Sequence, residues 1–313
     1  MPSHENLPAG VRRLIDDRRE ARDARDWSRA DALRAEIATL GWEVQDGPSG
    51  STARPALPPE AAPIGYAEPG DLASRLAEPA SVVASLQLVA DDHPDDLERA
   101  LAGLIAHPPT VQHELVVVAN APEFDLDPIL SAPLPVEPVV LTATERLGWA
   151  DARTLGMRRS SGAITVLLDT SLEPAGDFLA ELVAPFDDPR VGIAGGWGVT
   201  SADGRQFEDA PPGEVDAVEG YCLAVRREAL RIIGGFDRRF RFYRNADLDF
   251  SFAVRDAGWR AVRTEPLSLV RHEHRGWASL PDDERDRLSR RNFYRFLKHW
   301  GDRRDLLLRP ADR

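Results

Sequence analysis

The 313-residue sequence contains a single lysine and a single cysteine. Because Lys298 is followed by histidine, a phosphate-binding loop of the Gly-Lys-Ser/Thr type is excluded. Cys222 alone can form neither an intramolecular disulfide nor a cysteine-based zinc site, which fits a reducing compartment. The sequence also lacks any run of roughly 18 consecutive apolar residues, the length that a membrane span needs.

The composition is that of a globular protein, with 42% hydrophobic and 29% charged residues. Its net charge of −13 argues against broad, nonspecific binding to nucleic acid or anionic lipid. The first ten residues lack the basic-then-apolar order of a secretory signal, so we expect a cytoplasmic location.

The residue pattern predicts three regions. Residues 1–46, dense in helix formers and opposite charges, predict an α-helical hairpin whose second helix begins after Trp27. Residues 47–79 are rich in Pro, Ala, Gly and Ser, which predicts a semi-extended linker. Residues 80–313 form the third region, a larger α/β domain.

Residues 81–200 alternate strands with helices. Continuous apolar runs between amphipathic helices predict a mostly parallel sheet with helices on both faces. Ligands of such sheets bind at the carboxyl ends of the strands. Asp169 follows directly after one of these runs and is therefore a candidate binding residue, although a carboxylate there can also simply cap a turn.

Residues 218–262 have a distinctive order. A strand-like run is followed by a short helix, a tight turn at residues 234–237 and an arginine-rich aromatic loop that leads to Asp247 and Asp249. Aspartates at a helix start favour the helix macrodipole. Capping accounts easily for one of them and less easily for both.

Taken in order, four segments make residues 80–300 resemble the inverting family-2 glycosyltransferases of the GT-A fold. They look like that family's Ala-Arg-Asn helix with its Asp-x-Asp element, its acceptor-side segment, its Glu-Asp-x-Asp helix and its late histidine. In this sequence the segments are "ARTLGMRRSSGAITVLLDTSLEP", "VEGYCLAVRREALRIIGGFD", "NADLDFSFAVRDAGW" and "LVRHEHRGW".

The resemblance implies transfer of a sugar from a nucleotide-sugar donor to an acceptor hydroxyl, by single displacement with inversion. The family's general base corresponds to Asp247, which would take the proton of the attacking hydroxyl. The partner acid of the base is replaced by Ala246, and Asp249 is expected to brace the helix or the loop around the base. The acceptor side is expected to be shaped by Gly234, Gly235 and Asp237.

On the donor side, the resemblance assigns Asp169 to the nucleotide ribose or the metal shell. Arg153 and Asn120 are expected to meet the nucleotide. Ser171 replaces the second acid of Asp-x-Asp, so a site for a divalent cation (Mg or Mn) should be weak, substrate-assisted or absent. Of two late histidines, His272 is preferred over His274 as the imidazole near the phosphates and the metal.

Departures from the family pattern keep a second hypothesis open, a catalytically silent binding protein with the GT-A fold. They include Ala119, Thr154, Ala246 and Ser171. The C-terminal helical pattern favours core packing, with contact to a membrane-borne acceptor as the alternative.

Residues 18–54 resemble the C-terminal helical module of cysteinyl-tRNA synthetases. The matching features are the paired arginines, "RADALRAEI", the Gly41 turn and Asp46-Gly47-Pro48. The resemblance implies tRNA as a partner, so a tRNA-associated protein targeted by this hairpin remains a third hypothesis. The nearly balanced charge of the hairpin instead favours a solvated face or a protein contact.

Overall fold

The computed structural model describes residues 9–24, 26–40, 42–47, 50–55 and 65–309. The chain divides into two compact units, Met1–Ile64 and Gly65–Arg313.

The N-terminal unit contains two helices followed by an antiparallel strand pair. Its elements are α1 (Ala9–Asp23), α2 (Trp27–Thr39), β1 (Trp42–Gly47) and β2 (Gly50–Pro55). A small core of buried Val11, Ile15, Ile37 and Val44 joins the two helices to β1. The side chain of Asp26 caps α2 by accepting the Arg29 N–H at 3.0 Å.

The second half of the predicted linker packs against the C-terminal unit. Tyr66 forms a β-bridge to Ala143, and Leu76 is buried in the core. The carbonyls of Arg75 and Glu78 accept hydrogen bonds from the Arg227 guanidinium. A proline-rich composition thus marks irregular backbone here, while Arg227 fixes it in place. The linker prediction is wrong for residues 50–55, which form β2 and pair with β1, and residues 48–49 and 56–64 of that linker lie outside the described residues.

The C-terminal unit is an α/β domain with small accessory sheets. Its strands are β3 (Val82–Ala90), β4 (His113–Ala119), β5 (Pro138–Thr142), β6 (Gly162–Leu168), β7 (Leu172–Pro174), β8 (Val191–Gly195), β9 (Gly198–Thr200), β10 (Glu208–Asp209), β11 (Gly213–Glu214), β12 (Ala217–Val218), β13 (Cys222–Arg226), β14 (Arg260–Arg263) and β15 (Leu269–Arg271). Its helices are α3 (Pro94–Ala106), α4 (Asp127–Leu130), α5 (Trp149–Arg159), α6 (Phe178–Val183), α7 (Arg227–Ile233), α8 (Ala246–Asp256), α9 (Arg275–Ala278) and α10 (Asp282–Trp300).

Among the described residues, the central sheet has eight strands in the order β11-β14-β8-β13-β6-β3-β4-β5. The strand pairs β14–β8, β6–β3, β3–β4 and β4–β5 are parallel, whereas β13 runs antiparallel to both neighbours. Alternate residues of β6 enter opposite cores: Val166 and Leu168 face α3 and α6, and Leu167 faces α5, α7 and α8. Both faces of the sheet are therefore covered, as the apolar strands predict.

This topology sets the position of the site. Because β3, β4 and β6 run parallel, the residues that follow them, Asp91, Asn120 and Asp169, lie along one edge of the sheet. The antiparallel strand β13 begins at Cys222, opposite Leu168. The chain that enters β13 therefore also lies at this edge.

The C-terminal helix α10 packs against the domain. Phe296 and Trp300 are buried in a cluster with Val199 and Phe252, so the apolar face of α10 is occupied by core packing. No helix among the described residues combines the length and apolar character needed to cross a bilayer.

Candidate active site

A cavity of about 450 Å³ opens at the carboxyl ends of the parallel strands. Side chains from α5, from the loops that follow β3, β4 and β6 and from the loops that precede α8 and α9 line it, including Asp91, Asn120, Arg153, Asp169, Tyr243 and His274. Its position is the one at which open α/β sheets bind their ligands.

Asp169 is held in one orientation by its own turn. Its Oδ1 accepts hydrogen bonds from the Ser171 N–H at 2.9 Å and from the Ser171 hydroxyl at 2.5 Å. Its Oδ2 lies 3.8 Å from Arg153 Nη2 and 3.7 Å from His274 Nε2. The buried Ser171 hydroxyl thus orients the carboxylate, while the second oxygen of Asp169 faces the cationic side of the cavity.

Arg153 lies in the wall of the cavity and is only 2% exposed. Its Nη1 donates to the Leu168 carbonyl at 3.3 Å, and Nε has no hydrogen-bond partner among the described residues. Burial lowers the pKa of Arg153, and the negative charges of Asp169 and Asp91 oppose this. A guanidinium in the wall of a cavity places positive charge there and is suited to bind an anion.

Asn120 binds protein on both sides of its amide. Its Nδ2 donates to Asp91 Oδ1 at 2.8 Å and to the Leu147 carbonyl at 3.2 Å, and its Oδ1 accepts the Leu147 N–H at 2.8 Å. The side chain is 3% exposed. Asn120, which we expected to meet the nucleotide, lines the cavity and positions the Asp91 carboxyl and the loop that ends at Leu147.

The structure places His274, and not His272, beside Asp169. His272 Nε2 lies 2.7 Å from Glu173 Oε2 and does not line the cavity. His274 stacks on Tyr243 with ring centroids 4.5 Å apart, and its Nδ1 accepts the Trp277 N–H at 3.1 Å. That bond assigns the proton of the neutral ring to Nε2, so His274 presents a donor toward Asp169 and the cavity. The preference for His272 is therefore corrected.

Asp247 lies in the first turn of the helix α8, after Asn245 in the left-handed conformation (φ 65°) turns the chain. Its Oδ2 accepts the Gly220 N–H at 2.9 Å, and its Oδ1 accepts the Leu248 N–H at 3.0 Å. Burial raises the pKa of Asp247, although these two bonds and Arg244 oppose the shift. A partly desolvated carboxylate of raised pKa has the character of a general base.

Residues 219–221, the bridging segment, touch both aspartates. Gly220 donates to Asp247, and the next residue, Tyr221, accepts the Asp169 N–H on its carbonyl at 2.9 Å. Asp247 does not line the cavity itself, but Tyr243 does. Burial raises the pKa of Tyr243, and the charges of Asp169 and Asp247 both add to the shift. The two aspartates thus lie on the same side of the molecule, with Tyr243 near both.

Sequence reasoning missed Glu219. Burial raises its pKa, the charge of Asp247 raises it further, and Arg244 and Arg271 oppose the shift. An acid directly before a glycine that precedes a buried strand was the available signal. Its relation to Asp247 joins distant parts of the sequence, since Gly220, which binds Asp247, lies 27 residues before it in the chain.

The other acceptor-side candidates have structural contacts. Gly234 caps α7 in the left-handed region (φ 80°), and Gly235 (φ 118°) lies against Thr154. Asp237 pairs with Arg239, its Oδ2 accepting from Nε at 2.8 Å. Asp249 is buried, and its Oδ1 accepts the Trp300 Nε1–H at 2.8 Å. Asp249 thus ties α8 to α10.

The side chains at the cavity offer little to a divalent cation. Among the described residues, no three His, Cys, Asp or Glu side chains converge as a metal site. Asp169 supplies one carboxylate, already bonded to Ser171, and the Nδ1 lone pair of His274 is used by Trp277. A cation here would depend on a bound diphosphate and water for most of its ligands.

Comparison with solved structures identifies the fold of the C-terminal unit. It resembles the crystal structure of GalNAc-T7 with UDP, GalNAc and Mn²⁺, with a TM-score of 0.58 and 17% identity, over 71% of this chain and 49% of that one. The C-terminal unit is therefore of the GT-A type, with a mostly parallel sheet between helices.

Comparison with curated proteins finds partial relatives. The chain is 27% identical over 165 residues to the pre-mycofactocin glycosyltransferase of Mycobacterium tuberculosis, covering 47% of this chain and 33% of that protein. It is 56% identical over 50 residues to the cysteine–tRNA ligase of Phenylobacterium zucineum, covering 16% of this chain and 11% of the ligase. The chain thus matches a third of the length of the first relative and a ninth of the second.

Two family models match separate parts of the chain. Residues 4–54 match the cysteinyl-tRNA ligase anticodon binding domain. Residues 91–268, more than half of the chain, match glycosyl transferase family 2 and include both aspartates and most of the residues that line the cavity, although not His274. The chain belongs to glycosyl transferase family 2.

Proposed function

We propose that the chain transfers a sugar from a nucleotide-sugar donor to an acceptor hydroxyl in a single displacement that inverts the anomeric carbon. The observation that carries the proposal is the bridging segment, which contacts Asp169 at the donor cavity through Tyr221 and Asp247 through Gly220. Two neighbouring residues of this segment therefore join the anion-binding cavity to Asp247, a carboxylate of raised pKa.

In this mechanism the donor diphosphate lies against Arg153 and His274. Both present N–H donors to the cavity, so they stabilise the negative charge that grows on the diphosphate as its bond to the anomeric carbon breaks. Asp169, whose carboxylate is fixed by Ser171, orients the N–H donors of Arg153 and His274 and the hydroxyls of the sugar or the ribose.

Asp247 acts as the general base. Its carboxylate takes the proton of the acceptor hydroxyl while the new oxygen–carbon bond forms on the face opposite the leaving diphosphate, which inverts the configuration. The proton then passes from Asp247 to solvent, and nucleoside diphosphate leaves. The raised pKa of Asp247 favours proton transfer to it.

A divalent cation is not assigned a step. GalNAc-T7 contains Mn²⁺ together with UDP in its crystal structure, which makes the metal worth testing here. Asp169 is the side chain that would hold such a cation. When bound, the cation would neutralise charge on the diphosphate.

The first experiment is a thermal-shift screen of nucleotide sugars with and without Mn²⁺, followed by ¹H NMR of the product formed from the stabilising donor. We expect one class of nucleotide sugar to raise Tm and the product anomer to be inverted. Stabilisation without turnover, either to added acceptors or to water, would favour the catalytically silent binding protein.

The second experiment compares Asp247→Asn with Asp256→Asn, a change at the exposed far end of the same helix. We expect Asp247→Asn to lower kcat by about 10²–10⁴-fold, the usual contribution of a general base, with donor affinity unchanged. Asp256→Asn should retain wild-type kcat. Wild-type turnover in Asp247→Asn would refute its role as base.

The match of residues 4–54 motivates a second candidate function, association with tRNA. It is tested by comparing tRNA binding of the full chain with that of residues 65–313 in a mobility-shift assay. Equal binding by both proteins would refute this role for the N-terminal unit.

A further inference from the structure

A buried carboxylate lies at the edge of the cavity where the start of α3 meets the start of α9. Asp96, in the first turn of α3, is 4% exposed and belongs to the cavity lining. Its Oδ2 accepts the Arg275 Nε–H at 2.9 Å, and its Oδ1 lies 2.8 Å from Arg275 Nη2. Two parallel contacts of this kind form a bidentate pair, which fixes the guanidinium relative to the carboxylate.

Arg99 joins a third segment to the same carboxylate. Its Nη2 donates to Asp96 Oδ1 at 2.5 Å and to the Thr170 carbonyl at 3.4 Å. Thr170 directly follows Asp169 in the chain. Asp96 therefore connects α3 and α9 with the turn that holds Asp169.

Opposite charges hold this cluster together. Burial alone would raise the pKa of Asp96, but the hydrogen bonds that it accepts from Arg275 and Arg99 lower it overall. Hydrogen bonding to Asp96 in turn raises the pKa of Arg275. The exposed neighbour Asp95 lies 3.6 Å from Arg275 Nη1 and adds only a surface ion pair. Asp96 is thus the acid on which the position of Arg275 depends.

The loop that carries His274 is held on both sides of that residue. Before it, the His272 N–H donates to the Ser171 carbonyl at 2.8 Å. After it, Arg275 is the first residue of α9 and is bound by its side chain alone to α3. Between these two anchors, His274 Nε2 lies 3.7 Å from Asp169 Oδ2.

We propose that Asp96 is a positioning residue for the donor site, which acts through Arg275 to keep the Nε2–H of His274 directed at the donor diphosphate. The inference rests on the proposed function, in which His274 binds that diphosphate. Both oxygens of Asp96 are bound by arginine N–H groups, so the side chain acts through the protein and not by contact with the ligand.

The first test observes the His274 ring by long-range ¹H–¹⁵N NMR of the full-length protein at about pH 8, where imidazoles are largely neutral. Its signals are assigned by their loss in His274→Asn. The wild type should show the Nε2–H tautomer, because Nδ1 accepts the Trp277 N–H. In Asp96→Asn the start of α9 loses its bidentate anchor, so the ring should populate both tautomers. A wild-type His274 spectrum in Asp96→Asn would overturn the proposal.

Asp95→Asn is the matched control, because it removes the same charge from the exposed neighbouring position. It should leave the His274 spectrum unchanged. Arg275→Lys is the second test variant, since lysine keeps the charge but cannot form the bidentate pair, and Asp96 keeps its bond to Arg99. It should shift the tautomers in the same direction as Asp96→Asn. If Asp96→Asn does not fold, a wild-type spectrum in Arg275→Lys overturns the proposal.

The second test is isothermal titration calorimetry with the nucleoside diphosphate of the donor that the thermal-shift screen identifies. We expect Asp96→Asn to weaken binding about tenfold, the loss of one hydrogen bond to a charged group, and Asp95→Asn to bind as the wild type does. In the His274→Asn background, Asp96→Asn should cause little further loss, because both changes remove the same contact. A merely structural role would weaken binding equally in both backgrounds, and that result would overturn the proposal.

The same measurements separate this inference from the proposed function. If His274→Asn binds the diphosphate as tightly as the wild type, the proposed donor site fails, whatever the NMR shows. If His274→Asn loses affinity while Asp96→Asn keeps the wild-type tautomer and affinity, only the role of Asp96 fails.

Discussion

Asn120 donates its Nδ2 to Asp91 Oδ1 at 2.8 Å, and this bond fixes a carboxyl at the rim of the cavity. The same amide binds both the N–H and the carbonyl of Leu147. One buried side chain therefore connects the ends of β3 and β4 with the loop that precedes α5. Its side chain therefore builds part of the cavity wall.

Asn120→Asp should destabilise the domain by about 2–4 kcal/mol at pH 7, because it removes the buried donor and places a second anion beside Asp91. Burial already raises the pKa of Asp91. Both carboxyls would then have raised folded pKa values, so the cost is present at pH 7 and shrinks as the pH falls and they take up protons. Urea unfolding at pH 7 and pH 5 measures the difference. Asn120→Ala, which adds no charge, should show little of this pH dependence; equal pH dependence would contradict the explanation.

The two adjacent glycines after α7 should differ in their tolerance of a side chain. An added Cβ at Gly235 (φ 118°) would lie 2.8 Å from Thr154 Cγ2, whereas one at Gly234 (φ 80°) meets nothing within 4 Å. Gly234→Ala should cost about 1 kcal/mol for backbone conformation alone, and Gly235→Ala about 2–3 kcal/mol or more. Thr154→Ser combined with Gly235→Ala should recover part of the loss in a denaturation experiment. Equal losses at both glycines would exclude the Thr154 contact as the cause.

The sequence contains enough information for the sheet and for one side of the site. Residues 166–168 are apolar at every position because both faces of β6 are buried there, and the parallel order then puts Asp169 at the ligand edge. The stretch 191–199, which is apolar or glycine at every position, divides into β8 and β9, which belong to different sheets. Nothing local in the sequence signals that separation.

Contacts between distant parts of the chain account for the remaining differences. His272 and His274 are two residues apart, and only the pairing of His272 with Glu173 and of His274 with Tyr243 distinguishes them. Glu219 becomes relevant only because α8 brings Asp247 onto Gly220. These facts depend on which surfaces pack together, and a single sequence read by periodicity does not contain them.

His274 should contribute to donor binding, and His272 should not. His274→Asn keeps a side chain that can cap α9, as Asn is a good N-cap, but removes the Nε2 donor next to Asp169. We expect nucleoside diphosphate affinity to fall about tenfold, the loss of one hydrogen bond to a charged group. Isothermal titration calorimetry with the diphosphate identified in the donor screen measures this. His272→Asn is the matched control, and a loss of the same size there would refute the assignment.

Asp247→Asn should stabilise the protein at neutral pH while it removes activity. The folded pKa of Asp247 is raised by burial, so its ionisation costs stability. That cost is absent below the unfolded pKa, grows as the pH rises toward the folded pKa, and is complete above it. The variant should therefore unfold at higher urea than the wild type at pH 7, and the gain should disappear near pH 3.5. If the stability of the variant relative to that of the wild type is lower at pH 7 than at pH 3.5, the bond from Gly220 to the charged carboxylate outweighs the cost of burying it.

Ser171→Asp should convert the donor cavity into a cation site. The Ser171 hydroxyl donates to Asp169 Oδ1, and Ser171 is 3% exposed. An aspartate here loses that donor and places two buried carboxylates together, so the metal-free variant should lose about 2–4 kcal/mol. Oxygen ligands of this kind suit Mg²⁺ or Mn²⁺, and a cation bound only by the folded state raises Tm by mass action. Titration with Mn²⁺ should thus restore Tm in Ser171→Asp and leave the neutral control Ser171→Asn unchanged. Equal Mn²⁺ responses in the two variants would show that the carboxylates at 169 and 171 do not converge, and that the orientation of Asp169 is not set by its contact with residue 171.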